Sequence, residues 1–552
     1  MIGHKDFSQP PDTIRCLGVL NNCTFDSLPK YFGVLTFEEQ KKFLRSIFRA
    51  ENGILDDSLS TDKKQVEEAQ EILSDTTEKL FDHLFSADEV EEKYRSVYRT
   101  IFTTLMESLD PERRVQLVFS IMKNFQEGEK PTADDIMASI LNIGVAFKKA
   151  AQILSERNDL LPESLCSSLG EIKDNATPIS KSTIFEIFRR EGMMGEITKI
   201  KGLLGAASVG QVHMLETTDG KQSVGKVRSP IVDKYRMDDV KIIEKIIEQI
   251  KVKHGANVPN FAEEISRLLE EESNFNNEET NLNLLLPVFD FVSKQEQEAD
   301  EEHPQFYSKI ELGLPRITRC EESALIEELA PGISLNDLYY LSVFEKNQKG
   351  IGFQQVSEKV LSRAKALFDK LKKEKKLQKY LEALDHIDEV YLKLVDLVVA
   401  EIFEHGVFHA DKHRGNLMLD ISEEDNSALI TAIDFGNVIQ ISKENQSALK
   451  DLLGGLAFGD SGSALKGVKD FVGRNLSPQV QAEIEQVAEQ EAELKTKMEK
   501  ISLVIRDNFE FEERKDFVNI LKGLVSSFYI FDEISEERRA EALMKVAAYF
   551  IG

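Results

Sequence analysis

Strand-like alternation occupies only a small part of this chain, and it sits between long helical blocks. Residues 197–228 alternate with period two around the turn Thr218-Asp219-Gly220. That is a β-hairpin pattern, and a small-residue loop, GAASVGQV (205–212), belongs to the same stretch. Much of what precedes it carries apolar residues at helical spacing, as in EEQKKFLRSIFRA and EEKYRSVYRTIFTTLMESL. Residues 237–286 return to helix, and 287–311 read as an acidic loop whose QEQEADEEHPQ is a solvated insertion. Within 312–331, PRI and then SALIEELAPG suggest a strand running into a connector. Residues 335–406 are helical, 407–440 alternate loop and strand, and the remainder is helical and charged. The order predicts an α+β protein with a small β-rich part and a larger helical one.

Composition narrows the partners. Of 552 residues, 69 are Lys or Arg and 97 are Asp or Glu, a formal net charge of -28. A uniformly acidic surface repels phosphate backbones, so no nucleic acid is expected as a partner. With 41% apolar and 30% charged residues, the chain can bury a real core. Cys16, Cys23, Cys166 and Cys320 are too few for a disulfide framework and none are at CxxC spacing, so they read as reduced thiols. The opening MIGHKDFSQPPDTIRC lacks a signal-peptide core, and no apolar run of about 18 residues is present for a transmembrane helix. The expectation is a soluble, cytoplasmic protein. The basic run KALFDKLKKEKKLQKY (365–380) reads as a solvated helix face.

Chemistry concentrates in GVFHADKHRGNLMLD (406–420). Asp411 is followed by Asn416, and the apolar strand pattern ALITAIDFGNV then ends in Asp434-Phe435-Gly436. Phosphoryl transfer needs metal ions to neutralise a triphosphate and a carboxylate to orient the attacking hydroxyl. An Asp and an Asn on one loop and an Asp on a second turn supply a base candidate, Asp411, and two hard oxygen ligands for Mg²⁺, Asn416 and Asp434. The spacing is the kinase-like catalytic and metal-binding pattern. His409 and His413 stand four apart, but the HExxH glutamate is missing and Gly415 disfavours a continuous helix, so His409 is read as bracing the loop. Upstream, Lys226 lies on the second hairpin arm, sixteen residues after Gly210, as a phosphate-clamp candidate. Its glutamate partner is Glu278 or the neighbouring Glu279 in EESNFNNEETN.

These stretches together resemble the ABC1/UbiB/ADCK family of atypical kinase-like proteins. The matching segments are FKKAAQILSERNDLLP, GAASVGQVH, GKVRSP, ESNFNNEETN, EELAPG, HADKHRGN and IDFGN, spread over roughly 140–460. The resemblance implies a two-lobed protein-kinase-like fold with a small β-rich N-lobe and a helical C-lobe. Expected boundaries are a helical region at 1–125, a family-type helical extension at 126–200, the N-lobe at 201–330 and the C-lobe at 331–552. It further implies that ATP or ADP and Mg²⁺ bind between the lobes. Gly205, Ala206, Ala207 and Ser208 would cover the phosphates, in place of a glycine-rich loop. Lys226 would clamp phosphates with Glu278 as partner, Asp411 would be the catalytic aspartate, and Asn416 and Asp434 would hold metal. Lys149 and Gln152, one turn apart, would reach into the site from the extension. Glu327, in the connector Ile326 to Pro331, would lie at the adenine.

Several positions depart from the family pattern. The extension glycine is Ala151, the first loop alanine is Gly205, and the Glu-x-Asp element reads Glu272-Ser273-Asn274. Two family prolines are Lys412 and Arg414, cations expected either at a phosphate or acidic substrate or in solvent. The implied activity is that of an atypical kinase or ATPase acting on a small molecule, a protein or water. The alternative is a nucleotide-gated binding module with little catalysis, in the manner of a bacterial effector delivered into a host cell. A protein or lipid-like partner and peripheral membrane contact fit either expectation. The acidic FDEISEERRAE (531–541) reads as a solvated helix.

Overall fold

The computed structural model describes residues 77–78, 81–82, 84–85, 90–110, 113–114, 117, 121, 132–155, 163–170, 179–206, 209–254, 261–295, 305–349, 358–509 and 511–551. The chain divides into two compact bodies. One runs to Asn274 and includes Glu321–Leu325; the other is Phe275–Cys320 with Ile326–Gly552. No helix among the described residues is long and apolar enough to cross a membrane.

The first body holds α1 (Glu92–Ser108), α2 (Ala133–Leu141), α3 (Val145–Leu154), α4 (Glu163–Gly170) and α5 (Lys181–Arg190), then β1 (Ile197–Ala206), β2 (Gly210–Thr217) and β3 (Gln222–Arg228), then α6 (Pro230–His254) and α7 (Phe261–Ser273). A reciprocal capping box starts α2. The Thr132 hydroxyl accepts from the Asp135 amide at 3.1 Å, and the Thr132 amide donates to the Asp135 carboxylate at 3.0 Å. In α3, Ala146, Phe147, Ala150 and Ala151 form one apolar stripe. That stripe joins Phe102, Ile136, Ile243 and Ile265 in one core. The strands form an antiparallel meander, with Val212 opposite Lys226. The β2–β3 turn is closed by Asp219, which accepts from the Lys221 amide at 3.2 Å, and by Gly220 at φ +80°, where a side chain would be strained. The Ser323 carbonyl accepts from the Arg228 amide at 2.9 Å, which places the segment 321–325 beside the end of β3.

The second body starts with α8 (Phe275–Lys294), β4 (Ile310–Gly313), β5 (Ile317–Glu321, its last residue counted with the first body), β6 (Ala324–Glu328, its first two residues counted with the first body), β7 (Ile333–Ser334), α9 (Leu335–Gln348), α10 (Glu358–Lys373), α11 (Leu377–Asp385) and α12 (Ile387–Val399). A π-helical turn, Ala400–His405, extends α12. Next come β8 (Val407–His409), β9 (Leu417–Ile421), β10 (Ala428–Ala432), β11 (Val438–Gln440), α13 (Lys443–Phe458), α14 (Ser461–Val472), α15 (Pro478–Glu489), α16 (Leu494–Asn508), α17 (Phe511–Ser527), α18 (Tyr529–Asp532) and α19 (Glu536–Ile551). The expected loop from 287 is corrected at its start, because helix continues to Lys294 through Pro287. Proline costs an interior helix hydrogen bond. Here Leu282, Leu285, Val288, Phe289 and Val292 bury one continuous helical face across it, which offsets that loss. Residues 296–304 of the predicted insertion lie outside the described residues.

Helices α13 and α14 approach closely at two glycines. A Cβ on Gly467 would lie 2.4 Å from the Leu452 amide nitrogen, and one on Gly455 would lie 2.3 Å from that of Ala464. Both obstacles are backbone and cannot rotate away. Gly467→Ala is therefore expected to destabilise the protein by about 1–3 kcal/mol in guanidinium unfolding. An unchanged midpoint would contradict close packing there.

Candidate active site

Two short ladders build the site in the second body. β9 pairs antiparallel with β10, from Ala428 opposite Ile421 to Ala432 opposite Leu417. β8 pairs antiparallel with β11, with His409 opposite Val438. The loop from β8 to β9 and the loop from β10 to β11 must therefore face each other. Backbone hydrogen bonds fasten them at both ends: the Ile433 amide donates to the Asn416 carbonyl at 3.0 Å, and the Ala410 amide donates to that of Asn437 at 3.0 Å. The spacing predicted Asp411, Asn416 and Asp434 as a functional set, and these pairings bring them together. Gly406 starts the arrangement. It ends the π-helical turn at φ +66°, and a Cβ there would stand 2.5 Å from the Ile441 carbonyl oxygen, so only glycine fits comfortably.

His409 bridges the two loops. Its Nε2 donates to the Asp434 carbonyl at 2.5 Å, and its Nδ1 accepts from the Asp411 amide at 3.2 Å. Both bonds form only if the ring is neutral with its proton on Nε2. Burial, helped by the Lys412 ammonium, pushes this imidazole down to about 4, so it is neutral near pH 7. The Phe435 ring packs edge-on against it at 5.8 Å, and the Phe435 carbonyl accepts from Asn281 of α8 at 2.8 Å. Asn416 uses its amide nitrogen on Asp411, at 3.1 Å to the carbonyl and 3.3 Å to Oδ2, which leaves the amide oxygen as the atom that could hold a cation. Asp434 is exposed, and its Oδ1 accepts from the Gly436 amide at 3.1 Å. Partial burial raises the Asp411 carboxyl from its ordinary value and the Asp434 carboxylate adds to this, while His413 opposes it.

The two cations of the loop are in neither predicted place. Lys412 is 1% exposed and ion-paired with Glu401 of the π-helical turn, which is 0% exposed. The Lys412 ammonium also donates to the His409 carbonyl at 2.5 Å and lies 4.3 Å from the Phe408 ring centre. Arg414 pairs with Glu533, between the rings of Tyr339 and Tyr529. Lys412 is satisfied inside the fold, where a lone cation would be costly, and Arg414 is satisfied at a half-buried ion pair. The sequence reading did not single out Glu401 or Glu533. Glu401 had a signal, since it is the one acid in the apolar run LVVAEIF (397–403). Such an acid is buried only with a partner.

The remaining predicted residues have these places. Glu278 opens α8 and is buried, whereas Glu279 is half-buried. Glu327 is buried on β6. In the first body, Lys226 is 7% exposed on β3, and Gly205 and Ala206 end β1. Ala207 and Ser208 lie outside the described residues. Lys149 and Gln152 share the half-buried side of α3, and Lys149 is ion-paired with Glu272 at the end of α7. Arg228 and Arg236 hold the adjacent Ser273, through its carbonyl at 2.8 Å and its hydroxyl at 3.2 Å. The departed Glu-Ser-Asn element therefore engages the extension through its first glutamate.

A family model described as "ABC1 atypical kinase-like domain" matches residues 172–467, more than half of the 552. A Clostridium pasteurianum protein named "Uncharacterized protein in hydrogenase 1 5'region" is 24% identical over 430 residues, 74% of this chain and 69% of that one. A "Probable protein kinase UbiB" of Marinobacter nauticus is 24% identical over 347 residues, 59% of this chain and 51% of its own length. The Arabidopsis thaliana "Protein ACTIVITY OF BC1 COMPLEX KINASE 8, chloroplastic" is 24% identical over 338 residues, 59% of this chain. The chain spans about half of the Marinobacter relative and 37% of the Arabidopsis one. Among solved structures, the Rv3197–erythromycin complex of Mycobacterium tuberculosis aligns at a TM-score of 0.37 and 14% identity, over 85% of this chain and 98% of that one.

Proposed function

The chain belongs to the ABC1 atypical kinase-like family, and on that premise we propose that it is an ATP-binding, Mg²⁺-dependent atypical kinase or ATPase. Phosphoryl transfer to a hydroxyl or to water is the proposed reaction. The observation that carries it is the cross-linked pair of loops, with His409 holding Asp411 on one side and Asp434 on the other. Asp411 orients the acceptor hydroxyl and takes up its proton, a role that suits a carboxyl held above its ordinary value. The Asn416 amide oxygen and the Asp434 carboxylate would hold the metal. Two hard oxygens suit Mg²⁺, which keeps waters and phosphate oxygens for its other positions. When bound, that ion neutralises charge on the phosphates. Lys226 is assigned to the nucleotide phosphates with Glu278 as its orienting partner, and Gly205, Ala206, Ala207 and Ser208 to the phosphate cover. Glu327 is assigned to the adenine connector, and Lys149 and Gln152 to the family-type extension.

Thermal-shift titration with ATP and ADP, with and without Mg²⁺, followed by phosphate release, tests this reading. The unfolding midpoint is expected to rise with nucleotide and to rise further with Mg²⁺. Asp434→Ala is expected to abolish the Mg²⁺-dependent part and the turnover. No shift with either nucleotide would overturn the reading. Binding without turnover would favour a nucleotide-gated binding module instead.

A further inference from the structure

The loop that carries Asp411 and Asn416 is fastened from the far end of the chain. Arg414 opens the 3-10 turn Arg414–Asn416, so its backbone leads directly into Asn416. Its guanidinium lies 4.5 Å from the Tyr339 ring centre and 5.0 Å from that of Tyr529, and it is ion-paired with Glu533. The side chains of Arg414 and Glu533 are 25% and 27% exposed, so solvent screens the pair only in part. Glu533 directly follows α18. The segment around it is anchored independently of the loop. The Ser535 amide donates to Asp388 at 3.0 Å, and Lys545 pairs with Asp396 at 2.8 Å, both acids lying on α12. Glu533 lies beyond residue 467, where the family-matched region ends. α17, also beyond that end, packs against the start of the loop. A Cβ on Gly523 would be 2.6 Å from the Phe408 ring and 2.9 Å from the Ala410 Cβ.

We propose that Glu533 and Arg414 are positioning residues: the C-terminal helices hold the Asp411–Asn416 loop in register through this ion pair. Neither side chain takes part in the chemistry. His409 fixes the loop at its start, and Lys412 anchors it inward to Glu401. Of the loop's two side-chain ion pairs, that of Arg414 is the nearer to Asn416 along the chain, and its planar cation is held by ring contact as well as charge. A displacement of about 1 Å at a reacting group can cost about 100-fold in rate. The catalytic consequence rests on the enzyme reading above. The structural claim, that Glu533 holds the loop, does not.

The test uses the full-length chain as wild type, Glu533→Gln and Glu533→Asp. Phosphate release from ATP with Mg²⁺ and amide hydrogen exchange are measured on each. Glu533→Gln is expected to lower kcat by about 10- to 100-fold with KM for ATP changed by less than about twofold. Exchange is expected to speed up in peptides covering 409–417 and to stay unchanged in β10. Glu533→Asp, which keeps the charge, is expected to recover at least half of the lost kcat. Unchanged exchange at 409–417 in Glu533→Gln would overturn the proposal, as would faster exchange throughout the second body, the mark of general loosening. A wild-type chain without turnover would overturn the enzyme reading, and the exchange result would still decide the clamp.

Discussion

Replacing Lys412 with alanine is expected to lower the free energy of unfolding by about 3–5 kcal/mol. The reason lies in what is left behind. Glu401 is 0% exposed, and burial pushes its carboxyl up to about 7 even against the pull of Lys412. Burial lowers the Lys412 ammonium in turn, so each charge depends on the other. Without the lysine, Glu401 has no counter-charge, so it must either bury an unpaired carboxylate or take up a proton that the unfolded chain does not hold. The pH dependence has a definite sign. In the variant the folded carboxyl holds its proton well above the value near 4.3 of an unfolded chain. The folded state then binds more protons than the unfolded one, so stability falls as pH rises from about 4.5 through the folded value. The variant should be closest to wild type in acid. Lys412→Met combined with Glu401→Leu is expected to recover most of the loss, because a removed pair leaves no orphan charge. Guanidinium unfolding of Lys412→Met, of Glu401→Leu and of the double variant closes a mutant cycle. Additive losses in that cycle would contradict the coupling.

Asp411→Asn is expected to reduce ATP turnover by about 100- to 10,000-fold while nucleotide binding by thermal shift persists. The substitution keeps the shape of the side chain and the backbone contact of residue 411 to His409, but it cannot accept a proton. Asn416 donates to both the carbonyl and the carboxylate of Asp411, so one of its two anchors survives unaltered. Loss of rate with retained binding would separate proton transfer from loop geometry. Wild-type turnover in this variant would remove Asp411 from the reaction.

These two expectations differ in how visible they were beforehand. Asp411, Asn416 and Asp434 were legible because their spacing lies along loops bounded by short strands, and local patterning marks both. The β-meander around Lys226 was legible for the same reason, since period-two alternation and the Asp219-Gly220 turn are nearest-neighbour signals. The helix through Pro287 was not. A proline reads locally as a break, and only the burial of Val288, Phe289 and Val292 in the core offsets its cost.

The cations at 412 and 414 mark the boundary more sharply. As a string of residues, the chain specified which groups could do chemistry and in what order they come. Residue type, period and short spacing are properties of neighbours along the backbone. Folding alone decided where the two charges went, into ion pairs with Glu401 and with Glu533, the latter 119 positions away. The reason is physical. The cost of a buried charge, and the partner that offsets it, depend on which surfaces meet in space, and no periodicity encodes that.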